Sequence, residues 1–234
     1  MDIINLKNIK FIYHQEIVLN NISFSIKNGE KISIIGKSGS GKSTLLKIIS
    51  KILSPNNGEV NFQKNTKISF LFQENSLLPW KTIKENLYFF NNTIDDNKIK
   101  YILDSLEIKK AKDMYPHMLS GGMLQRANIA LCLCSEPNLL LMDEPFSSLD
   151  YLTKINNYKF VLSLIENGNF ASIMVTHDIN EALLFSNKIY ILSCKTGDFI
   201  DCIEIKEKFK SIELLTSKQF LYYHNLILKK FSEN

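Results

Sequence analysis

Apolar positions along the chain change their period in a way that sorts it into strands and helices. The first thirty residues carry runs rich in Ile and Phe, Ile3–Lys7, Ile9–Tyr13 and Ile22–Ile26, with turn residues between them, and read as short strands. Lys31–Ile35 is a short apolar strand running straight into a glycine-rich loop, and from Ser43 to Ile52 Leu and Ile recur at helical spacing. Pro55–Gly58 reads as a turn and Ile68–Phe72 as another strand. Between about Asn75 and Leu119 the character becomes helical. Thr82 with Glu85 forms a capping box that opens a helix through Phe90, and a second helix spans Lys98–Leu106. Alternation then resumes with strands Leu139–Met142, Ile173–Thr176 and Ile189–Leu192, a helix over Leu152–Glu166, and Asp178 with Glu181 as a second cap. From Ser217 onward Phe220, Tyr223, Ile227 and Phe231 share one helical face, with core packing the default reading and a partner interface the alternative. Strand–helix alternation on both sides of a helical insertion predicts an α/β domain on a largely parallel sheet with helices on both faces.

Composition narrows the class. The 234 residues suit one domain, or one domain with an inserted lobe, and 45% hydrophobic with 22% charged residues excludes a disordered chain, a collagen and a disulfide-stapled miniprotein. Lys plus Arg is 28 and Asp plus Glu is 24, a formal charge of +4, which permits an anionic ligand or membrane surface without requiring a nucleic acid. No uncharged apolar run approaches the ~18 residues of a membrane span. The start, Met1 to Asn5, lacks the basic and apolar regions of a secretory signal. Cys132, Cys134, Cys194 and Cys202 show no paired C-x-x-C spacing, and the first two sit in an apolar run that suits buried reduced thiols. A cytoplasmic protein is expected.

Three constellations carry chemistry. Gly36-Lys37-Ser38-Gly39-Ser40-Gly41-Lys42-Ser43, followed by Thr44, fits G-x-x-x-x-G-K-[ST] with a strand before and a helix after. Glycines there let main-chain N–H groups close around phosphate oxygens, and the helix N-terminus adds partial positive charge. Lys42 is placed to bridge the β- and γ-phosphates of ATP, and the Ser43 hydroxyl to ligate Mg²⁺. Leu139–Glu144 is an apolar strand ending in two carboxylates, which are costly there unless a cation or donor meets them. Asp143 is assigned to hold Mg²⁺ through water. Glu144 is assigned as general base, or as the group that orients the attacking water. In the third, Ser120 is a good N-cap with Gly121 and Gly122 in the first helical turn, a second helix end suited to an anion. One phosphate loop needs no second phosphate-binding end, so the simplest account aims it at ATP held by another copy. Read alone, it would be an ordinary capped helix.

Phosphate loop, Gln73, Leu119–Gln125, Met142–Pro145, Ser148–Asp150 and Val175–Asp178 follow one another in an order that resembles the ATP-binding subunit of ABC transporters over nearly the whole chain. The resemblance implies a P-loop NTPase (RecA-like) core over about 1–75 and 136–215. It further implies an N-terminal antiparallel β-subdomain, a helical subdomain over about 76–135 and a C-terminal helix over about 216–232. By the same resemblance Tyr13 stacks on adenine, Gln73 contacts Mg²⁺ and senses the membrane subunit, and His177 hydrogen-bonds the γ-phosphate. Asp150 communicates across a dimer, and Ser120, Gly121, Gly122 and Gln125 belong to the signature that meets nucleotide. Without the resemblance, Tyr13 is a strand residue, Gln73 a surface amide and His177 a strand-end histidine.

Leu77-Leu78-Pro79-Trp80, Tyr115-Pro116-His117 and Leu149–Lys154 are similar to importers of the nitrate, sulfonate, taurine and thiamine-precursor group. Trp80 and the leucines either pack the helical lobe or touch a membrane subunit. Leu124, Met118, Lys51 and Asn187-Lys188 depart from the group's usual residues, Lys51 standing where a glycine is common. The implied partners are a second copy or paralogue of the ATPase, two integral membrane permease subunits and an extracytoplasmic substrate-binding protein, with no nucleic acid. The implied location is peripheral, on the cytoplasmic face of the membrane. Two rivals, a non-transport ABC-type ATPase acting on nucleic acid or in complex assembly and a P-loop kinase of small metabolites, fit less well. The first lacks its usual tandem domain, coiled coil or zinc insertion, and the second leaves Ser120–Gly122 and His177 unexplained.

Overall fold

Three strands whose ends converge on one loop organise the molecule. In the computed structural model, which describes residues 1–147, 149–206 and 211–232, these are β3 (Lys31–Ile35), β6 (Leu139–Asp143) and β7 (Ala171–Thr176). All are buried along their length, as strands covered on both faces must be. They lie in a six-stranded sheet of order β5-β6-β7-β3-β8-β9, with β5 (Ile68–Leu71), β8 (Lys188–Leu192) and β9 (Phe199–Glu204). Only the β8–β9 pairing is antiparallel. Side chains alternate between two cores: Leu139, Leu141, Ile173 and Val175 on one side, Leu140, Met142 and Met174 on the other.

The first core lies under α1 (Lys42–Ile49) and an antiparallel sheet of order β2-β1-β4, made of β1 (Asp2–Tyr13), β2 (Glu16–Lys27) and β4 (Asn57–Phe62). The second lies under α2 (Ile83–Phe90), α3 (Asp96–Ser105), α4 (Gly121–Cys134), α5 (Tyr151–Asn167), α6 (Ile179–Phe185) and α7 (Lys218–Ser232). Helices α2 to α4 enter between β5 and β6, where the helical insertion is expected. Among the described residues no helix is long and apolar enough to cross a membrane.

The structure departs from the sequence reading at several points. The two strands expected either side of Asn8 are one strand with a bulge: Asn8 has φ 51° and the register shifts between Leu6 and Ile9. Pro55–Gly58 is not simply a turn, because Asn57 and Gly58 begin β4. Gly58 (φ 90°) lies so close to Asn8 that an added Cβ would meet its carbonyl at 2.4 Å. Half-polar edge strands β4 and β9 carry too little apolar signal to be read in advance. Thr82 and Glu85 do cap each other, through Thr82 N–H to Glu85 Oε2 (2.7 Å) and Glu85 N–H to Thr82 Oγ1 (3.3 Å). Asp178 caps α6 by accepting from Asn180 N–H (2.8 Å), but Glu181 completes no box: it is buried, with Tyr158 and Thr176 donating to it and Lys154 paired at 2.7 Å. Leu77 is buried, whereas Trp80 is 69% exposed, so the leucine and not the indole packs the lobe. On α7, Phe220, Tyr223 and Ile227 are buried and Phe231 packs beside them. Cys132 and Cys134 are buried free thiols, pushed up by burial to about 12 and about 11.

α1 ends three residues earlier than expected. Lys51 N–H donates to Ile48 O (3.0 Å) and Ile52 N–H to Lys47 O (2.9 Å), with Lys51 at φ 64°. This is a Schellman cap, which favours glycine at the left-handed position. Lys51→Gly is therefore expected to stabilise the chain by about 1 kcal/mol, read as a raised urea midpoint. A lowered midpoint would mean that the Lys51 ammonium, 4.5 Å from the Phe62 ring centroid, outweighs the backbone strain.

Candidate active site

The loop from β3 to α1 has the shape its glycines allow. A Cβ on Gly36 would meet Ser40 Oγ at 2.5 Å and Leu192 O at 2.8 Å. Gly41 has φ 95°, and its added Cβ would press on Val18 and Leu19 at 3.0 Å. Gly41 gives α1 no side-chain cap, and its carbonyl accepts from Leu45 N–H (2.9 Å). First-turn amides of a helix have no intrahelical partner, so those of Lys42, Ser43 and Thr44 are left for a ligand. Ser40 Oγ is buried with no hydrogen-bond partner in the same loop. Lys37, Ser38 and Gly39 are exposed at its tip. An anion with several oxygens fits this cradle.

Lys42 folds back over the loop, donating to Gly36 O (2.9 Å) and Lys37 O (3.1 Å). Burial lowers its pKa, against the pull of Glu144 and then Asp143. At the end of β6, Asp143 Oδ1 accepts from Ser43 Oγ at 2.8 Å. Burial raises the Asp143 pKa, Ser43 opposes that, and Glu144 adds repulsion. Two carboxylates and a hydroxyl beside a phosphate-sized cradle form an oxygen-donor set suited to a hard cation such as Mg²⁺.

Glu144 turns the chain at φ 43°, a left-handed conformation costly for a residue with a side chain. Its N–H donates to Val175 O (3.0 Å), and its Oε2 lies 3.3 Å from His177 Nδ1. Ser147 closes the turn from Glu144, donating to the Glu144 carbonyl through N–H (3.2 Å) and Oγ (3.0 Å). Gln73 Nε2 donates to Ser147 Oγ at 3.3 Å, which joins the second residue past β5 to the Glu144 turn. Sequence reading missed Ser147, because a serine inside a turn carries no signal of its own. Gln125, expected at nucleotide, is buried, and its amide donates to Pro145 O, so it holds this same turn.

Tyr13 lies at the end of β1, 61% exposed, its ring edge-on to His14. Ser120 caps α4 through Met123 N–H (3.3 Å). Gly122 owes its missing side chain to packing, since a Cβ there would meet Thr153 at 2.8 Å on α5. Gly121 is different: an added Cβ would make only an ordinary contact, 3.7 Å to Leu149, yet the position is exposed. No hydrogen bond among the described residues joins Ser120–Gly122 to the phosphate loop. Asp150 caps α5 through Thr153 N–H (3.0 Å), and the hydrogen bonds from Thr153 hold its carboxyl below the usual range. Ser148, from the expected Ser148–Asp150 run, lies outside the described residues.

Behind the site, Lys154 on α5 reaches Oδ2 of Asp178 (2.8 Å), the cap of α6, and Glu181 Oε1 (2.7 Å) in its first turn. Thr176, the residue before His177, donates to Glu181 Oε2, and its Oγ1 accepts from Asp178 N–H (3.0 Å). The start of α5 and the residues on either side of His177, Thr176 and Asp178, are thus tied by one network with the buried Glu181 at its centre.

Residues 19–147 match the family model described as "ABC transporter". The chain is 38% identical over 223 residues to an aliphatic sulfonates import ATP-binding protein, SsuB, of Bacillus cereus, covering 88% of this chain and 89% of that one. It is 38% identical over 193 residues to a nitrate import ATP-binding protein, NrtC, of Synechococcus elongatus, covering 76% of this chain and 29% of that longer one. A dimeric bacterial ABC transporter cassette superposes with TM-score 0.75 at 32% identity, covering 87% of this chain and 99% of the other. CbiO1 of Clostridium perfringens, part of the transporter complex CbiONQ, superposes with TM-score 0.77 at 25% identity, covering 98% and 96%.

Two substitutions test this geometry. Gly36→Ala is expected to weaken nucleotide binding at least about tenfold in a fluorescence titration, because the added methyl collides with a main-chain carbonyl as well as with Ser40. Glu181→Ala, which takes the buried acceptor away from Tyr158 and Thr176 and leaves Lys154 with Asp178 alone, is expected to lower unfolding free energy by about 1–3 kcal/mol in urea. A loss no larger than that of an exposed control would contradict the brace.

Proposed function

The chain belongs to the ABC transporter family, and from that membership we propose that it is the ATP-binding and ATP-hydrolysing subunit of an importer. Its cargo on this reading is a small solute of the nitrate, sulfonate, taurine or thiamine-precursor type, passed through separate membrane subunits. The observation that carries the proposal is the meeting of Ser43, Asp143, Glu144 and His177 around one phosphate loop. Names of the sulfonate and nitrate import relatives support the cargo class. The whole chain, residues 1–234, acts as one nucleotide-binding domain, with the helical subdomain at about 76–135.

In this reading the amides of Gly39 to Thr44 and the Lys42 ammonium bind the triphosphate, with Tyr13 against the base. Ser43, Asp143 and Gln73 would hold Mg²⁺, which neutralises charge on phosphate oxygens when bound. Glu144, fixed by its turn and by His177, orients a water toward the terminal phosphate and accepts its proton. His177 donates toward that phosphate. Breaking the terminal P–O bond leaves ADP and phosphate. Ser120 to Gly122 of a second copy, or of a paralogue, close over the triphosphate, which explains why Gly121 is exposed and unneeded by its own subunit. Exposed Trp80 and Phe72, either side of Gln73, present an apolar edge to a membrane subunit on the cytoplasmic face. An extracytoplasmic binding protein would deliver the solute.

Glu144→Gln is expected to keep ATP affinity within a factor of a few. It should slow hydrolysis about 10²–10⁴-fold and accumulate an ATP-dependent dimer in light scattering. Turnover at the unmodified rate would remove Glu144 from the role of base.

A further inference from the structure

At the end of the parallel sheet away from the phosphate loop, a cavity of about 490 Å³ opens where β3 begins. That volume is within the range of small-molecule sites. Leu162 and Ile165 of α5 and Leu184 and Phe185 of α6 form its apolar wall. Asn28, Asn169, Ser186 and Asn187 supply amide and hydroxyl groups at its polar side.

Lys31 also lines the cavity and is only 8% exposed. Its ammonium donates to Phe170 O and sits 4.1 Å from the centroid of the Phe170 ring. Among the described residues no carboxylate pairs with it. Glu166, also on the wall, is exposed. Burial alone pulls the Lys31 pKa from 10.5 to about 8. A buried cation without a counter-charge is a costly arrangement that an incoming anion relieves.

We infer that this cavity binds a small organic anion, a carboxylate or sulfonate head on a short aliphatic body. The head meets Lys31 and the neighbouring amides, and the body lies on the four apolar side chains. A hydrated inorganic ion would leave that wall unused, and a neutral molecule would leave Lys31 uncompensated. The site is separate from the phosphate loop, since Lys31 starts β3 and Ile35 ends it.

Isothermal titration of the full chain, with saturating ADP to occupy the phosphate loop, tests this. The probes are hexanoate, hexanesulfonate, hexanol and inorganic phosphate. Hexanoate or hexanesulfonate is expected to bind one-to-one, with hexanol and phosphate at least about tenfold weaker. Lys31→Met should abolish the preference for the anions over hexanol. It is expected to fold, because it replaces an unpaired buried charge by an apolar chain of similar length. Asn169→Trp, which fills the mouth from its exposed side, should block both anions while leaving Lys31 in place. The proposal fails if neither anion binds at roughly millimolar concentrations, if hexanol binds as well, or if Lys31→Met binds the anions unchanged.

Discussion

A helix whose first amides have no partner in their own chain is the constraint from which the site follows. β3 delivers the chain into a loop that only glycine can follow at Gly36 and Gly41, and α1 starts without a side-chain cap. Its N–H groups and the buried Lys42 make a positive concavity. The neighbouring strands β6 and β7 end beside it, so Asp143, Glu144 and His177 arrive because parallel strands stop at one edge of the sheet. Ligand sites of open α/β sheets gather at such carboxyl ends. Positive cradle and negative strand end are each costly alone, and on the proposed reading a triphosphate with a cation would satisfy both.

The Lys154–Glu181 brace gives the site a second level of organisation. Asp150 opens α5, Lys154 sits one turn later, and its partners Asp178 and Glu181 follow His177, at the cap and in the first turn of α6. The exposed start of α5 and the segment around His177 are thereby tied through the Lys154–Glu181 pair, whose carboxylate is buried. Breaking such a pair by removing one partner costs far more than an exposed pair would.

The loop edge of the sheet that carries the candidate site was legible in the residues to the extent that its chemistry is local. A glycine-rich loop between strand and helix, an acidic pair ending an apolar strand and a serine cap before two glycines each declare themselves within a few positions. β3 and β6 were readable for the same reason, since fully buried strands are nearly continuous apolar runs. What escaped depends on distant partners. Glu181 resembles a capping residue until Lys154, Tyr158 and Thr176 are seen around it. Gln125 is read through its family motif until Pro145 is seen beside it. Gly122 is missing a side chain because of Thr153 on another helix. The bulge at Asn8 and the strand at Asn57 explain each other, and neither is visible alone.

Backbone amide NMR of the phosphate loop tests the central claim most directly. Titration with ATP in a hydrolysis-blocked form should shift the signals of Gly39, Gly41, Lys42, Ser43 and Thr44 strongly and slow their hydrogen exchange. Amides at the opposite end of β3 should change little. Saturable nucleotide binding that leaves those loop amides unmoved would contradict the account, because the triphosphate would then be held elsewhere.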